Sequence, residues 1–144
     1  MEIITKKINN EYRFFLKNNS SETIYPDEVI VMSGKIPFKK NTRAYCDGFN
    51  MLSQYIGTVE NMECMGPYSD GGHYKLPQKD GYFTGYNYAL FFEKQTTLWG
   101  FTSCRRFCGE IRFNAGKYEI AERLYNIPIR SGEIAELESF CILT

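Results

Sequence analysis

The feature that most constrains this chain is its punctuation. Short runs of β-branched and aromatic residues follow one another closely, and each is cut off by Gly, Pro or Asn before a helical period can establish itself. EIITKKI (2–8) and YRFFLKN (12–18) are separated by Asn9-Asn10-Glu11, which reads as a hairpin. EVIVMSG (28–34) is closed by Gly34 and then Pro37. NYALFFEK (87–94) and TLWGFTS (97–103) flank Gln95-Thr96 as a second hairpin. GEIRFNAG (109–116) alternates, with Ile111 and Phe113 on one side and Arg112 on the other, and KYEIAERL (117–124) follows Gly116. GEIAELESFCIL (132–143) contains helix formers, but Ala135, Leu137, Cys141 and Leu143 share a face at period two, which favours a strand.

About eight strands at short spacing, with no helical stretch, predict an all-β fold: an antiparallel, supersandwich-like β-sandwich forming a single domain over residues 1–144. Two layers packed face to face would bury alternate residues of each strand. The segment from about 57 to 86 departs from the pattern. Gly57, Gly66-Pro67, Asp70-Gly71-Gly72, Pro77, Asp80-Gly81 and Gly85 mark it as a long Gly- and Tyr-rich loop, the kind of segment that carries function.

With 144 residues, the chain can bury roughly 70% of its unfolded surface, enough for a core without staples. Eleven Tyr, eleven Phe and one Trp supply much of that core and suit pleated surfaces. Rings left outside it can stack on the C–H faces of sugars. Positive and negative side chains balance at 17 each, which leaves no electrostatic footprint for a phosphate backbone, so nucleic acid is not expected as a partner. No run approaches the ~20 apolar residues that span a bilayer, so no membrane association is expected. MEIITKK lacks the charged start and apolar run of a secretory leader, and five cysteines fit no disulfide framework. A cytoplasmic location follows as the expectation.

The candidate chemistry is thin. Cys104 and Cys108 form the only close cysteine pair, and on an extended strand residues four apart lie about 13 Å apart, too far to share an ion. Arg105 and Arg106 would favour a thiolate, and His73 in YSDGGHYK with Asp70 could serve as its base, but free cysteines are more often small buried hydrophobes. The 13 Glu and four Asp single out no glycosidase-like pair, and Glu119, Glu122, Glu136 and Glu138 read as solvated strand faces. No cofactor is called for. The domain is expected to bind or brace rather than to catalyse.

LWGFTSCRRFCGEIRF (98–113) resembles a strand, turn and strand in the N-terminal β-sandwich of family 36 glycoside hydrolases, the α-galactosidase and raffinose-synthase-like enzymes. SGEIAELESFCIL (131–143) resembles that domain's closing strand. GFNMLS (48–53) stands where the family carries a Gly-Trp-Gln-Ser-Trp-Ser-like segment. Gly48 and Ser53 match it, while Phe49 and Leu52 replace the indoles. The resemblance implies a non-catalytic accessory domain that braces a following (β/α)₈ barrel and shapes its sugar cleft, with the Cys104–Cys108 segment as a turn between strands. It also implies carbohydrate contact through Asp47, Phe49 and Asn50, and a barrel domain of a longer parent as partner. Self-association is a further option. The rivals are a free-standing carbohydrate-binding module, with Trp99, Tyr55, Tyr68, Tyr74, Tyr82 and Tyr86 as candidate rings, and a thiol-dependent small-molecule enzyme. Trp99, mid-strand between Leu98 and Gly100, is expected in the core.

Overall fold

A computed structural model describes residues 1–144. The chain forms thirteen strands and no helix. They are β1 (Glu2–Ile8), β2 (Glu11–Lys17), β3 (Glu28–Lys35), β4 (Arg43–Asp47), β5 (Gln54–Thr58), β6 (Met62–Cys64) and β7 (Phe83–Tyr86), followed by β8 (Tyr88–Phe92), β9 (Thr96–Phe101), β10 (Cys108–Phe113), β11 (Lys117–Arg123), β12 (Ile134–Glu136) and β13 (Phe140–Leu143). All pairings are antiparallel. The larger sheet runs β1-β2-β13-β9-β8-β4-β5-β6, with β12 also on β2, and the smaller runs β3-β11-β10-β7. This is the all-β, sandwich-like architecture that the alternation predicts.

Both sheets supply the core. Phe14, Leu16, Ala44, Phe91, Trp99 and Phe140 come from the larger, and Val29, Val31, Ile111, Phe113 and Ile120 from the smaller. Phe91 is the hub of the rings, stacked on Phe38 at 4.1 Å and edge-on to Trp99 at 5.0 Å and Phe113 at 5.4 Å. Offset and edge-to-face pairs of this kind add about 0.5–1.5 kcal/mol each beyond the area they bury. Trp99 lies in the core as its position between Leu98 and Gly100 suggests.

Two expectations require correction. The loop foreseen at 57–86 contains strand at both ends, because β5, β6 and β7 are only three to five residues long and carry Gly57 and Gly85, which blur any alternation. The strand-free stretch is residues 65–82. The C-terminal strand is broken in two. Ala135 and Leu137 face the core as expected, but the break at Glu138-Ser139 moves the phase, so that Phe140 and Ile142 pack inward while Leu143 is exposed. Leu137 N–H on the Phe14 carbonyl (3.0 Å) and Thr102 N–H on the Ser139 carbonyl (2.8 Å) stitch the break into the sheet.

Candidate functional site

Alternation in β10 sends Ile111 and Phe113 into the core and leaves Cys108, Glu110 and Arg112 on the outer face of the small sheet. Register sets Arg112 opposite Glu119 and Cys108 opposite Arg123, while β7 brings Tyr86 beside Glu110 and β3 brings Glu28 beside Arg123. The result is a ladder of charges. Arg112 Nη2 lies 2.5 Å from Glu110 and 2.6 Å from Glu28, and its Nη1 lies 3.5 Å from Glu119. Arg123 reaches Asp27 at 2.9 Å, Glu110 at 3.1 Å and Glu28 at 3.3 Å.

The Arg112 end of this face is buried although it is polar, because the 65–82 loop lies against it. Lys79 Nζ meets Glu119 at 2.6 Å, and the Tyr82 hydroxyl donates to the same carboxylate at 3.1 Å. Arg112 is only 2% exposed. A buried charge persists only when it is paired and hydrogen-bonded. Burial works against the Arg112 charge, but the bonds to Glu28 and Glu110 outweigh it and hold the guanidinium protonated beyond its ordinary range. The hydrogen bond from Arg112 in turn holds the Glu28 carboxyl below the usual carboxylate value.

Beside the ladder opens a cavity of about 230 Å³. Its apolar wall is Phe49, Leu76, Pro77, Tyr86 and Tyr125, and its polar wall is Asp27, Glu110, Arg123 and the Cys108 thiol. Phe49 and Tyr86 meet edge to face at 5.5 Å and 81°, forming a corner. Phe49 is fixed by its backbone N–H, which donates to the buried Asp70 carboxylate at 3.1 Å, and Asp70 N–H donates to the Tyr55 hydroxyl at 2.7 Å. Tyr125 sits at the mouth, 65% exposed, with φ of 55°, a left-handed conformation that costs a bulky side chain about 1–2 kcal/mol. Burial pushes the Cys108 thiol up to about 11, with the Glu110 carboxylate adding to the effect, so at neutral pH it is a neutral thiol rather than a nucleophile.

Of the three residues expected to contact carbohydrate, Phe49 lines this cavity. Asp47 accepts from the Asn87 side chain at 2.9 Å, and the Asn50 side chain accepts from Leu52 N–H at 2.9 Å; both brace turns, and neither lines the cavity. Gly48 and Ser53 close the β4–β5 loop through Gly48 N–H on the Ser53 carbonyl, and a Cβ at Gly48 would collide with Ser53. Among the candidate rings, Tyr86 belongs to the cavity and Tyr82 to the ladder, Tyr55 is buried against Asp70, and Tyr68 and Tyr74 flank His73 edge to face. The alternation of acid and base in Glu110-Ile111-Arg112 and Glu119 to Arg123, inside apolar strands, is the signal that would have found the ladder. Tyr125 leaves no such trace.

The Cys104–Cys108 segment wraps around a carboxylate. Glu138 Oε1 accepts the backbone N–H of Arg105 at 2.9 Å, Arg106 at 2.7 Å and Phe107 at 3.2 Å, and Oε2 accepts the Ser103 hydroxyl. Burial opposes the charge, yet these four donors hold Glu138 below the usual carboxylate range. Glu122 was expected in solvent and is instead fully buried on the inner face of β11, where it accepts Glu138 N–H at 2.9 Å. Glu138 is also buried, so the reading of both as solvated faces is corrected: Glu122 shares the inward phase of Ile120 in β11, and the break between β12 and β13 turns Glu138 inward. All five thiols are free, and no three His, Cys, Asp or Glu side chains converge in a way that could hold an ion. No helix is long and apolar enough to cross a membrane. No protein-family model matches the chain, and neither does any curated protein.

Proposed function

We propose that the chain is a non-catalytic carbohydrate-binding domain that holds one sugar unit in the cavity beside the charge ladder. The supporting observation is the composition of that cavity. A corner of two rings and a third ring at the mouth stand opposite Asp27, Glu110 and Arg123, in a volume of about 230 Å³. Sugars present the matching chemistry, an apolar C–H face and a rim of hydroxyls, and sites for small ligands combine an apolar wall with a few placed polar groups in this way. Cys108, the thiol that lines the site, is held neutral, which favours binding over thiol chemistry.

A second reading is the accessory domain of an α-galactosidase-like glycoside hydrolase, bracing a catalytic barrel and shaping its sugar cleft. One observation favours it. The β4–β5 loop that carries Phe49 also exposes Met51 (82%) and Leu52, apolar side chains that a following domain would cover. Titration calorimetry of the isolated chain with neutral and charged monosaccharides and their short oligomers separates the two. Sub-millimolar binding that Phe49→Ala abolishes supports the free-standing module. Absence of binding refutes it and leaves the accessory domain.

A further inference from the structure

The cavity's polar groups are not equally available to a ligand, and the difference bears on its charge. Every guanidinium nitrogen of Arg123 already faces a carboxylate: Nε and Nη2 reach Glu110, Nη2 also reaches Glu28, and Nη1 reaches Asp27. Arg112 is committed in the same way to Glu28 and Glu110, and Lys79 to Glu119. Phe49 N–H is committed to Asp70. The cationic donors around the site are therefore taken. Acceptors are not. Asp27 gives Oδ2 to Arg123 and has no protein partner for Oδ1, on a side chain 55% exposed at the rim. The Tyr86 hydroxyl has no protein partner either, although Tyr86 is only 4% exposed and sits within electrostatic reach of Glu110, Cys108 and Arg123, all lining residues. Across the ladder Asp27, Glu28, Glu110 and Glu119 stand against Arg112, Arg123 and Lys79, leaving one negative charge in excess.

Ring faces attract cations, and the perpendicular Phe49 and Tyr86 with Tyr125 at the mouth offer three rings around the opening. We infer that the bound sugar carries a positive charge: the cavity takes a hexosamine with a free ammonium group in preference to a neutral or acidic sugar. The ammonium would lie against the rings and donate to Asp27 Oδ1, while the apolar face of the sugar packs on Leu76 and Pro77. A uronic acid would bring a second negative charge to a site whose cations are already paired. This inference rests on the carbohydrate-binding reading.

The test is calorimetric titration of the full chain, at mildly acidic pH, with glucosamine and galactosamine against glucose, galactose, their N-acetylated amines and glucuronate. The amines should bind about tenfold more tightly than the neutral sugars, the size of one desolvated cation–ring contact, and N-acetylation should erase the gain. Asp27→Asn should shrink the ratio of amine to neutral-sugar affinity, because the ammonium loses its acceptor while the rings stay in place. Should that variant fail to fold, added salt makes the same distinction, since the preference must shrink with ionic strength. Equal binding of amines and neutral sugars, or tighter binding of glucuronate, overturns the charge preference and leaves the carbohydrate reading standing. Failure of every sugar, with choline still perturbing the Phe49 and Tyr86 resonances, overturns the carbohydrate reading and keeps the preference for cations. Failure of sugars and choline alike overturns both.

Discussion

Replacing Glu122 with glutamine should make the protein more stable at neutral pH than it now is. The Glu122 carboxyl is fully buried on the inner face of β11. Oε2 accepts Glu138 N–H at 2.9 Å, Oε1 has no partner, and the Glu138 carboxylate lies close by. Burial chiefly, with the Glu138 charge adding to it, pushes its pKa from an ordinary 4.5 up to about 8. The unfolded chain therefore releases this proton near 4.5 while the folded chain keeps it until about 8. Below the lower value the group has no effect; between the two, ionisation favours the unfolded state and the penalty grows with pH. The penalty is about 3 kcal/mol at pH 7 and levels off above pH 8 at ~4–5 kcal/mol. Glutamine keeps an oxygen for Glu138 N–H and cannot ionise. Urea titrations of parent and variant from pH 4 to pH 8 should diverge as pH rises, the variant gaining about 3 kcal/mol at pH 7 relative to its difference at pH 4, or ~10 °C in melting temperature. Glu28, Glu119 and Glu138, held below their ordinary range, contribute stability that is lost as pH falls, but they do so in both proteins and cancel in the difference. Parallel pH profiles for the two proteins would refute the buried protonated carboxyl.

Tyr125→Gly should remove a left-handed backbone conformation that a side chain resists, raising stability by about 1 kcal/mol in thermal melts while weakening sugar binding, because the ring at the mouth is lost. Arg112→Met should leave Glu110 and Glu28 sharing Arg123 as their one remaining cation, at a cost of about 3 kcal/mol by urea titration. Glu138→Ala should orphan the backbone N–H groups of Arg105, Arg106 and Phe107, and hydrogen exchange should be faster at those three amides than in the parent while the β8–β9 amides stay protected.

The architecture is legible because β1, β2, β3, β8, β9, β10 and β11 are long enough to alternate, and alternation follows directly from the pleat. The break in the C-terminal strand is not, since Glu138 and Ser139 look like ordinary outward positions until three distant backbone N–H groups are seen to converge on one carboxylate. The same limit applies to the site. Phe49 is picked out in sequence only through the resemblance that GFNMLS (48–53) carries, and it lies in the cavity. Asp47 and Asn50 stand out for the same reason, but short polar side chains in loops more often brace the turn itself, as these do. Glu119 looks like a solvated strand face because nothing local announces that Lys79 and Tyr82 of the 65–82 loop will bond its carboxylate. Tyr125 gains its place from the left-handed turn at Tyr125-Asn126, a property of backbone rather than of residue pattern.

The most direct test of the account is an amide-resolved NMR titration of the full chain with hexosamines and neutral monosaccharides. The account predicts saturable shifts centred on Phe49, Leu76, Tyr86, Cys108 and Tyr125, the residues that enclose the cavity. Shifts centred instead on the Arg105–Arg106 loop, or no saturable shift at those five amides with any sugar, would contradict it.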